Sequence, residues 1–317
     1  MHRAFLGYLL RRTLAAALLV LVVASAALAL IRAAPGDHLS GFDLDPAAAA
    51  AERHRLGLDR PFLVQYASWL GKAVRLDFGE SAKYRRPVSQ LVAERAGKTA
   101  LLGATALLLA TALGIPIGIL TGSRRNPLTL AAQGLSLVIL SVPPLVTSFA
   151  LLLLAHQTGW LPVGGFPAGS DAGSVMLATI RYLVLPALAL ALPIAASLER
   201  LQSQAMSEAL AEPSIRAARA RGCSPARVVW RHALRLSLKP VLAIYGVIVG
   251  TVLSGSFAVE IVMSWPGLGA LMYEALVARD LHLVAGCAAA GALFLAIGIL
   301  LSDLALALID PRVEETA

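Results

Sequence analysis

A chain of 317 residues that is 58% hydrophobic and only 15% charged, with a mean hydropathy of +0.74, is too apolar for a water-soluble globule, in which about a quarter of residues are charged. Its two cysteines, Cys223 and Cys287, lack any CxxC spacing and exclude both a disulfide framework and a four-cysteine zinc site. The formal charge of +8 does not point to nucleic acid, because only 6% of the residues are aromatic and the arginines border apolar runs instead of sharing a soluble face with aromatic side chains.

Crossing a hydrocarbon layer of about 30 Å at about 1.5 Å per residue takes roughly 20 helical residues. In chain order, five windows free of Asp, Glu, Lys and Arg meet that requirement: Thr13–Ile31, Thr99–Ser123, Tyr182–Leu198, Pro240–Val259 and Leu281–Ser302. A sixth span is expected at Leu130–Ala155, inside the uncharged stretch Asn126–Ser170, with a kink where Pro143 and Pro144 remove backbone donors. The first window follows Arg3, Arg11 and Arg12 as a signal peptide would, but it is longer than the roughly 7–15 apolar residues of such a leader, so it reads as a retained helix. The fold class is therefore an all-α membrane protein with six transmembrane helices.

Six spans put both ends on one side, and the arginines say which. Fourteen of the 27 Lys and Arg fall on the side of the termini, and only Arg181 and Arg279 fall in the two short loops of the other side. The remaining basic residues lie in Arg32–Lys98, a loop just beyond the length to which the positive-inside rule applies. Both termini are expected to be cytoplasmic. Four segments follow: residues 1–31 as N-tail and first helix, 32–98 as an external loop subdomain, 99–309 as a five-helix transmembrane core, and 310–317 as a cytoplasmic tail.

Two connections exceed mere turns. The external one opens on the breaker Pro35-Gly36-Asp37, passes Ala47–Ala51, and carries Tyr66, Trp69, Leu70 and Phe78, enough for a small cap of short helices; the alternative is an interfacial loop with Tyr66 and Trp69 in the headgroup belt. The cytoplasmic connection, residues 199–239, has sharper grammar. Glu212-Pro213 starts a short helix with proline in its first position, and Gly222 ends it in the left-handed conformation. Ser224 then caps a second helix beginning at Pro225.

Arg216-Ala217-Ala218-Arg219-Ala220-Arg221-Gly222 and Arg231-His232-Ala233-Leu234-Arg235 resemble the EAA loop of ABC-importer permeases, in the form carried by the dipeptide, oligopeptide and nickel branch. Nearly the whole chain shares the likeness. Pro35-Gly36-Asp37, Leu56-Gly57-Leu58-Asp59, Val64-Gln65-Tyr66, Arg86-Pro87-Val88, Ser264-Trp265-Pro266-Gly267-Leu268-Gly269, Arg279-Asp280 and Asp310-Pro311-Arg312 all occur in that branch's order. Arg216 replaces the Glu of the general pattern, and His38 stands where a proline is usual.

The resemblance implies a type I ABC importer permease fold in the bacterial-type inner membrane, without cofactor, moving di- or oligopeptides, or alternatively nickel or a nickel chelate. It implies as partners a paralogous permease subunit, separate ABC ATPase subunits and an extracytoplasmic substrate-binding protein. The helix Pro213–Gly222 is then the ATPase-coupling element, with Ala217, Ala218 and Gly222 as close-packing positions and Arg216, Arg219 and Arg221 toward a polar or acidic rim. Read without the resemblance, the same segment is a basic helix lying on anionic lipid. Trp265, Pro266 and Gly267 are candidates for external docking or gating, or equally an aromatic anchor followed by a turn.

Catalytic chemistry finds no support. Gly97-Lys98-Thr99 lacks the earlier glycine of a phosphate loop, since position 92 is Val92, and no two of the six histidines stand at i, i+4 for a metal. An ion-coupled secondary transporter would carry carboxylates at mid-membrane, and the uncharged windows hold none, Asp303 being the nearest. Gly114, Gly118 and Gly122, like Gly246 and Gly250, repeat every four residues and are expected to let helices approach closely within the chain.

Overall fold

The computed structural model describes residues 2–33, 51, 54, 59, 61–73, 75, 77–167 and 172–309. The breaker at Pro35-Gly36-Asp37, the segment Leu56-Gly57-Leu58 and the tail from Asp310 lie outside the described residues. Eleven α-helices of eight residues or more organise the rest: α1 (His2–Ala33), α2 (Phe62–Ala73), α3 (Val88–Ser123), α4 (Pro127–Leu140), α5 (Pro144–Thr158), α6 (Ala172–Ala211), α7 (Pro213–Ala220), α8 (Leu234–Ala243), α9 (Tyr245–Val262), α10 (Leu268–Val277) and α11 (Leu281–Ile309). Among the described residues the only β pairing is an isolated antiparallel bridge, Glu80 to Pro87. Among the described residues five single helices are long and apolar enough to cross a membrane: α1, α3, α6, α9 and α11. Their outward leucines suit lipid, Leu108 being 70% exposed and Leu18 61%.

The expected sixth span is broken more sharply than a kink: two helices, α4 and α5, bent by 104°, pass together as one interrupted span, which brings the number among the described residues to six. Ser141 closes α4 by donating to Leu137 O, Pro143 takes an extended conformation with φ −59° and ψ 146°, and Pro144 opens α5. Each proline steers the residue before it out of the helical region, so Pro143-Pro144 excludes helix at Val142 and at Pro143 itself. A second correction concerns the window from Pro240, where the chain pauses at Ile244 and the apolar helix proper begins at Tyr245.

The chain forms two compact units. The first holds residues 100–265 with the described parts of 2–10 and 297–309. Its core surrounds the middle of α6, where Leu190, Ile194 and Leu198 pack with Leu102 and Ala106 of α3 and Ile248 and Val252 of α9. Along α3 the glycines meet α6 backbone: a Cβ on Gly114 would stand 2.6 Å from Ala195 O, and one on Gly118 would stand 2.7 Å from Glu199 O. The repeat is thus an intramolecular seam.

The second unit holds the described part of 11–99 with 266–296, and so includes α2, α10 and the start of α11. Trp69 of α2 is buried with Ala24, Leu28, Ala285 and Ala289, and Tyr66 Oη lies 2.9 Å from Ser25 Oγ. α2 is therefore a packed helix. Asp280, 1% exposed, fastens the turn before α3 by accepting from Ser81 Oγ at 2.6 Å, Lys83 N at 3.1 Å and Leu283 N at 3.1 Å.

Candidate functional site: a basic helix seated on the ends of two long helices

α6 runs for 40 residues, about 60 Å at 1.5 Å per residue, well beyond one bilayer core. Its last turns, Met206 and Ala209, join Ile119 of α3 in a small hydrophobic cluster that also takes in Val228 and Ala233. α7 rests its inner face there through Ile215 and Ala218, each 2% exposed. The spacing of three residues puts both on one side of the helix.

The ends of α7 are as its sequence predicts. Glu212 occupies the N-cap position and Pro213 the first turn. At the other end Gly222 has φ +81°. Its N–H donates to Arg219 O at 2.9 Å, and Cys223 N donates to Ala218 O at 3.2 Å, the paired bonds of a Schellman C-cap. Ser224 Oγ accepts from Arg227 N at 3.4 Å, and a π-helical turn, Val228–Ala233, leads into α8. A π turn inside a helix is an uncommon element that recurs at functional sites.

The six residues expected to act together divide by face. Arg216, Ala217, Arg219, Arg221 and Gly222 are exposed, while Ala218 is buried against this chain's own cluster. No atom lies within 4 Å of a Cβ built on Gly222, so within this chain the glycine answers to backbone conformation and not to crowding. The outer surface is cationic: Arg216, Arg219, Arg221, Arg227, Arg231 and Arg235 are all exposed. Arg216, Arg219 and Arg221 make no ion pair with any described residue. Such a surface can receive an acidic or polar partner, the only kind that relieves mutual repulsion among cations.

Behind the cluster lies a buried polar node that the sequence windows hid by stopping at Leu198. Glu199 is 1% exposed and accepts from Thr121 Oγ1 of α3, and Gln202, fully buried, donates from Nε2 to Ser237 Oγ of α8 at 2.9 Å. Glu199 Oε2 and Gln202 Oε1 are buried without a described partner. The available signal was the coincidence of a Glu-x-x-Gln pair in α6 with the glycine repeat of α3 that it faces.

The second candidate segment lies largely inside the fold. Trp265 is fully buried, its ring edge-on to Phe166 at 5.4 Å, and its backbone N–H donates to Glu260 O at 2.9 Å. Pro266 is half-buried, and Gly267 is buried and N-caps α10. The adjoining Leu268 N donates to Thr99 Oγ1 at 2.7 Å. Direct contact with an arriving protein is open to Ser264, which is exposed with φ +53°, and closed to Trp265. No group of three or more His, Cys, Asp or Glu able to hold a metal occurs among the described residues. Gly97-Lys98-Thr99 lies within α3, where no phosphate-cradling loop can form.

The family described as binding-protein-dependent transport system inner membrane component matches residues 114–315, and its N-terminal counterpart matches residues 5–100. Among similar proteins, the oligopeptide transport system permease protein AppB of Bacillus subtilis (strain 168) is 33% identical over 97% of this chain and 99% of its own length. The dipeptide transport system permease protein DppB of the same organism is 32% identical over 97% of each chain. A putative peptide permease protein of Brucella suis biovar 1 (strain 1330) is 35% identical over 98% of this chain and all of its own.

Proposed function

The chain belongs to the family of binding-protein-dependent transport system inner membrane components, and from that premise we propose that it is a pathway-forming permease subunit of an ATP-driven importer of di- or oligopeptides. It works beside a paralogous permease subunit, receives solute from an extracytoplasmic binding protein, and takes its power from separate ATPase subunits. It hydrolyses no ATP. Its termini and residues 199–239 face the cytoplasm of a bacterial-type inner membrane, a reading supported by the fourteen basic residues on that side.

One observation carries the mechanism: a helix of eight residues whose inner face is locked to α3 and α6 and whose outer face carries exposed arginines that pair with no described residue. α7 docks in the ATPase with Arg216, Arg219 and Arg221 at the rim, and Ala217 and Gly222 where little room remains. Ala218 serves the inner seat. Nucleotide-driven closure shifts α7 between two positions, and it biases the membrane helices only because the docked contact differs between those states. Trp265, Pro266 and Gly267 act from within as the fixed corner of an external gate, with Ser264 on its open side.

The test is reconstitution of the complete complex in proteoliposomes, with uptake of a labelled dipeptide, a labelled oligopeptide and nickel measured with and without ATP. ATP-dependent peptide uptake that requires the binding protein is expected. Uptake without ATP would remove the coupling role, and uptake of nickel alone would replace the substrate.

A further inference from the structure

Two arginines of the second unit hold a backbone conformation that suits glycine. Arg85 has φ +51° and Arg279 φ +52°, a region that ordinary L-residues enter only at a cost. Arg85 belongs to a tight loop before α3, in which Glu80 bridges Pro87, Ser81 N donates to Arg86 O at 3.0 Å and Arg85 N donates to Ser81 O at 2.9 Å. Arg279 ends α10. Its N–H donates to Leu276 O at 3.1 Å and Asp280 N donates to Ala275 O at 2.9 Å, the bonds of a Schellman cap with arginine where glycine is usual. One buried carboxylate fastens both turns. Asp280 accepts from Ser81 Oγ at 2.6 Å and from Lys83 N at 3.1 Å, and Ser81 Oγ accepts from Tyr84 N at 3.1 Å. The side chains of Lys83 and Tyr84 add a second tie, to Glu274 of α10.

Nothing inside the chain repays the strain at Arg85. Its side chain is exposed and makes no ion pair with any described residue, whereas its neighbours Lys83 and Arg86 pair with Glu274 and Glu94. A glycine at this position would keep the loop at lower cost. The surface does not attract by net charge either, because Glu80, Glu94, Glu274 and Asp280 balance Lys83, Arg85, Arg86 and Arg279. A balanced surface gathers few anionic headgroups, which collect where basic residues are in excess. What it offers is a planar donor fork held in a fixed direction, the geometry that recognises a carboxylate.

We propose that Arg85 and Arg279 are contact residues for the extracytoplasmic binding protein, each receiving an Asp or Glu side chain from its surface. Because the turns are already fastened, docking has little left to order, and Arg and Tyr are the residue types that dominate the energetics of protein interfaces. The inference rests on the importer reading and on the external placement of Arg279 and of residues 32–98. It gives the docking contact to residues other than the buried Trp265.

The test reads association of the complex's own binding protein with the complete complex in phosphatidylcholine nanodiscs, without ATP, by surface plasmon resonance. R85G and R279G should each raise the dissociation constant at least about fivefold. R85G should nonetheless unfold at the same temperature as the unsubstituted chain or at a higher one, because glycine relieves the left-handed turn. R85K keeps the charge and loses the fork, and should recover only part of the affinity; full recovery would reduce the contact to charge alone and overturn the directed one. Unchanged association in the double Gly variant overturns the proposal, as does a lower melting temperature for R85G, which would make the side chain a support of the fold. A loss that appears only after phosphatidylglycerol is added would give the arginines to lipid, and a loss confined to peptide-loaded binding protein would give them to the solute's carboxylate; either result overturns it. If the unsubstituted complex associates with no binding protein, the importer reading falls and this inference with it, whereas failure of the variants alone leaves the importer reading standing.

Discussion

Gly222 discriminates between two reasons for a small residue at the end of the basic helix. Its φ of +81° closes the Schellman cap, and a Cβ there would meet nothing within 4 Å. Any penalty inside this chain is therefore conformational: about 1–2 kcal/mol for an ordinary L-residue held left-handed, less for Asn, whose short polar side chain tolerates that region. Such a penalty shifts the ratio of the capped turn to its alternatives by roughly 5–30-fold without exposing core, so the protein should accumulate normally. If conformation governs, ATP-dependent uptake and ATPase stimulation in reconstituted complexes fall in the order Gly, Asn, Ala, Val. If crowding by a partner governs, Ala outperforms Asn because it is smaller. An Ala variant equal to or better than the Asn variant would refute the conformational argument, and normal uptake by the Val variant would remove the turn from coupling altogether.

Gly118→Ala brings a Cβ to 2.7 Å from Glu199 O and Gln202 Cβ, and overpacking of this kind typically destabilises by about 1–3 kcal/mol; a lower melting temperature in detergent is expected. Gly134→Ala, with nothing within 4 Å, should be neutral or stabilising, and equal effects at the two sites would contradict the seam. At the Lys83–Tyr84–Glu274 cluster, burial raises the Glu274 carboxyl, but the hydrogen bonds from Tyr84 and Lys83 and the Lys83 charge outweigh it and leave it below its ordinary 4.5. Burial lowers Lys83, yet the Glu274 hydrogen bond and charge hold it above 10.5. A depressed acid stabilises the fold above its unfolded value and loses that contribution as pH falls through the folded one; a raised base contributes below its unfolded value and loses it as pH climbs through the folded one. The contact is thus in force between about pH 5 and 10, at well under about 1 kcal/mol for so exposed a pair, and E274Q should flatten the acid limb of thermal unfolding; an unchanged limb would show that the pair contributes nothing. In a cysteine-free chain, Arg221→Cys should react with an impermeant maleimide only from the cytoplasmic face, and external labelling would invert the topology.

The local chemistry of the basic loop was legible because its signals are chemical and short-range. Proline at position 213, glycine at 222 and serine at 224 each act on their own backbone, and each appears where its residue type dictates. The α4–α5 break was half legible. Two consecutive prolines announce an interruption, but the angle between the pieces depends on what each packs against, and in a uniformly apolar stretch nothing marks the face. The buried node escaped for a related reason: windows free of charge are drawn to end at charges, so Glu199 and Glu260 became boundaries, although both are almost wholly buried within helices. Trp265 read equally as a docking or gating residue or as an aromatic anchor before a turn, because burial of an aromatic beside Pro-Gly is decided by a distant partner, here Phe166.

How a push on α7 would travel follows from comparing what must break. Prising α7 from its seat would expose Ile215, at about 1.5–3 kcal/mol for a fully buried side chain of that size, together with Ala218. Sliding α3 past α6 would drive glycine backbone against Ala195 O and Glu199 O, where 2.6–2.7 Å from a would-be Cβ leaves no slack, and would part Thr121 from Glu199. A displacement that carries α7 with the ends of α3 and α6 breaks neither contact and buries no new polar group. The lowest route for the proposed coupling is therefore concerted motion of that assembly, and the place beside it that yields most readily is the α4–α5 elbow. Its prolines have already given up the hydrogen bonds that a continuous helix would have to lose, so bending there sacrifices less than bending α6 anywhere away from its own Pro186 and Pro193.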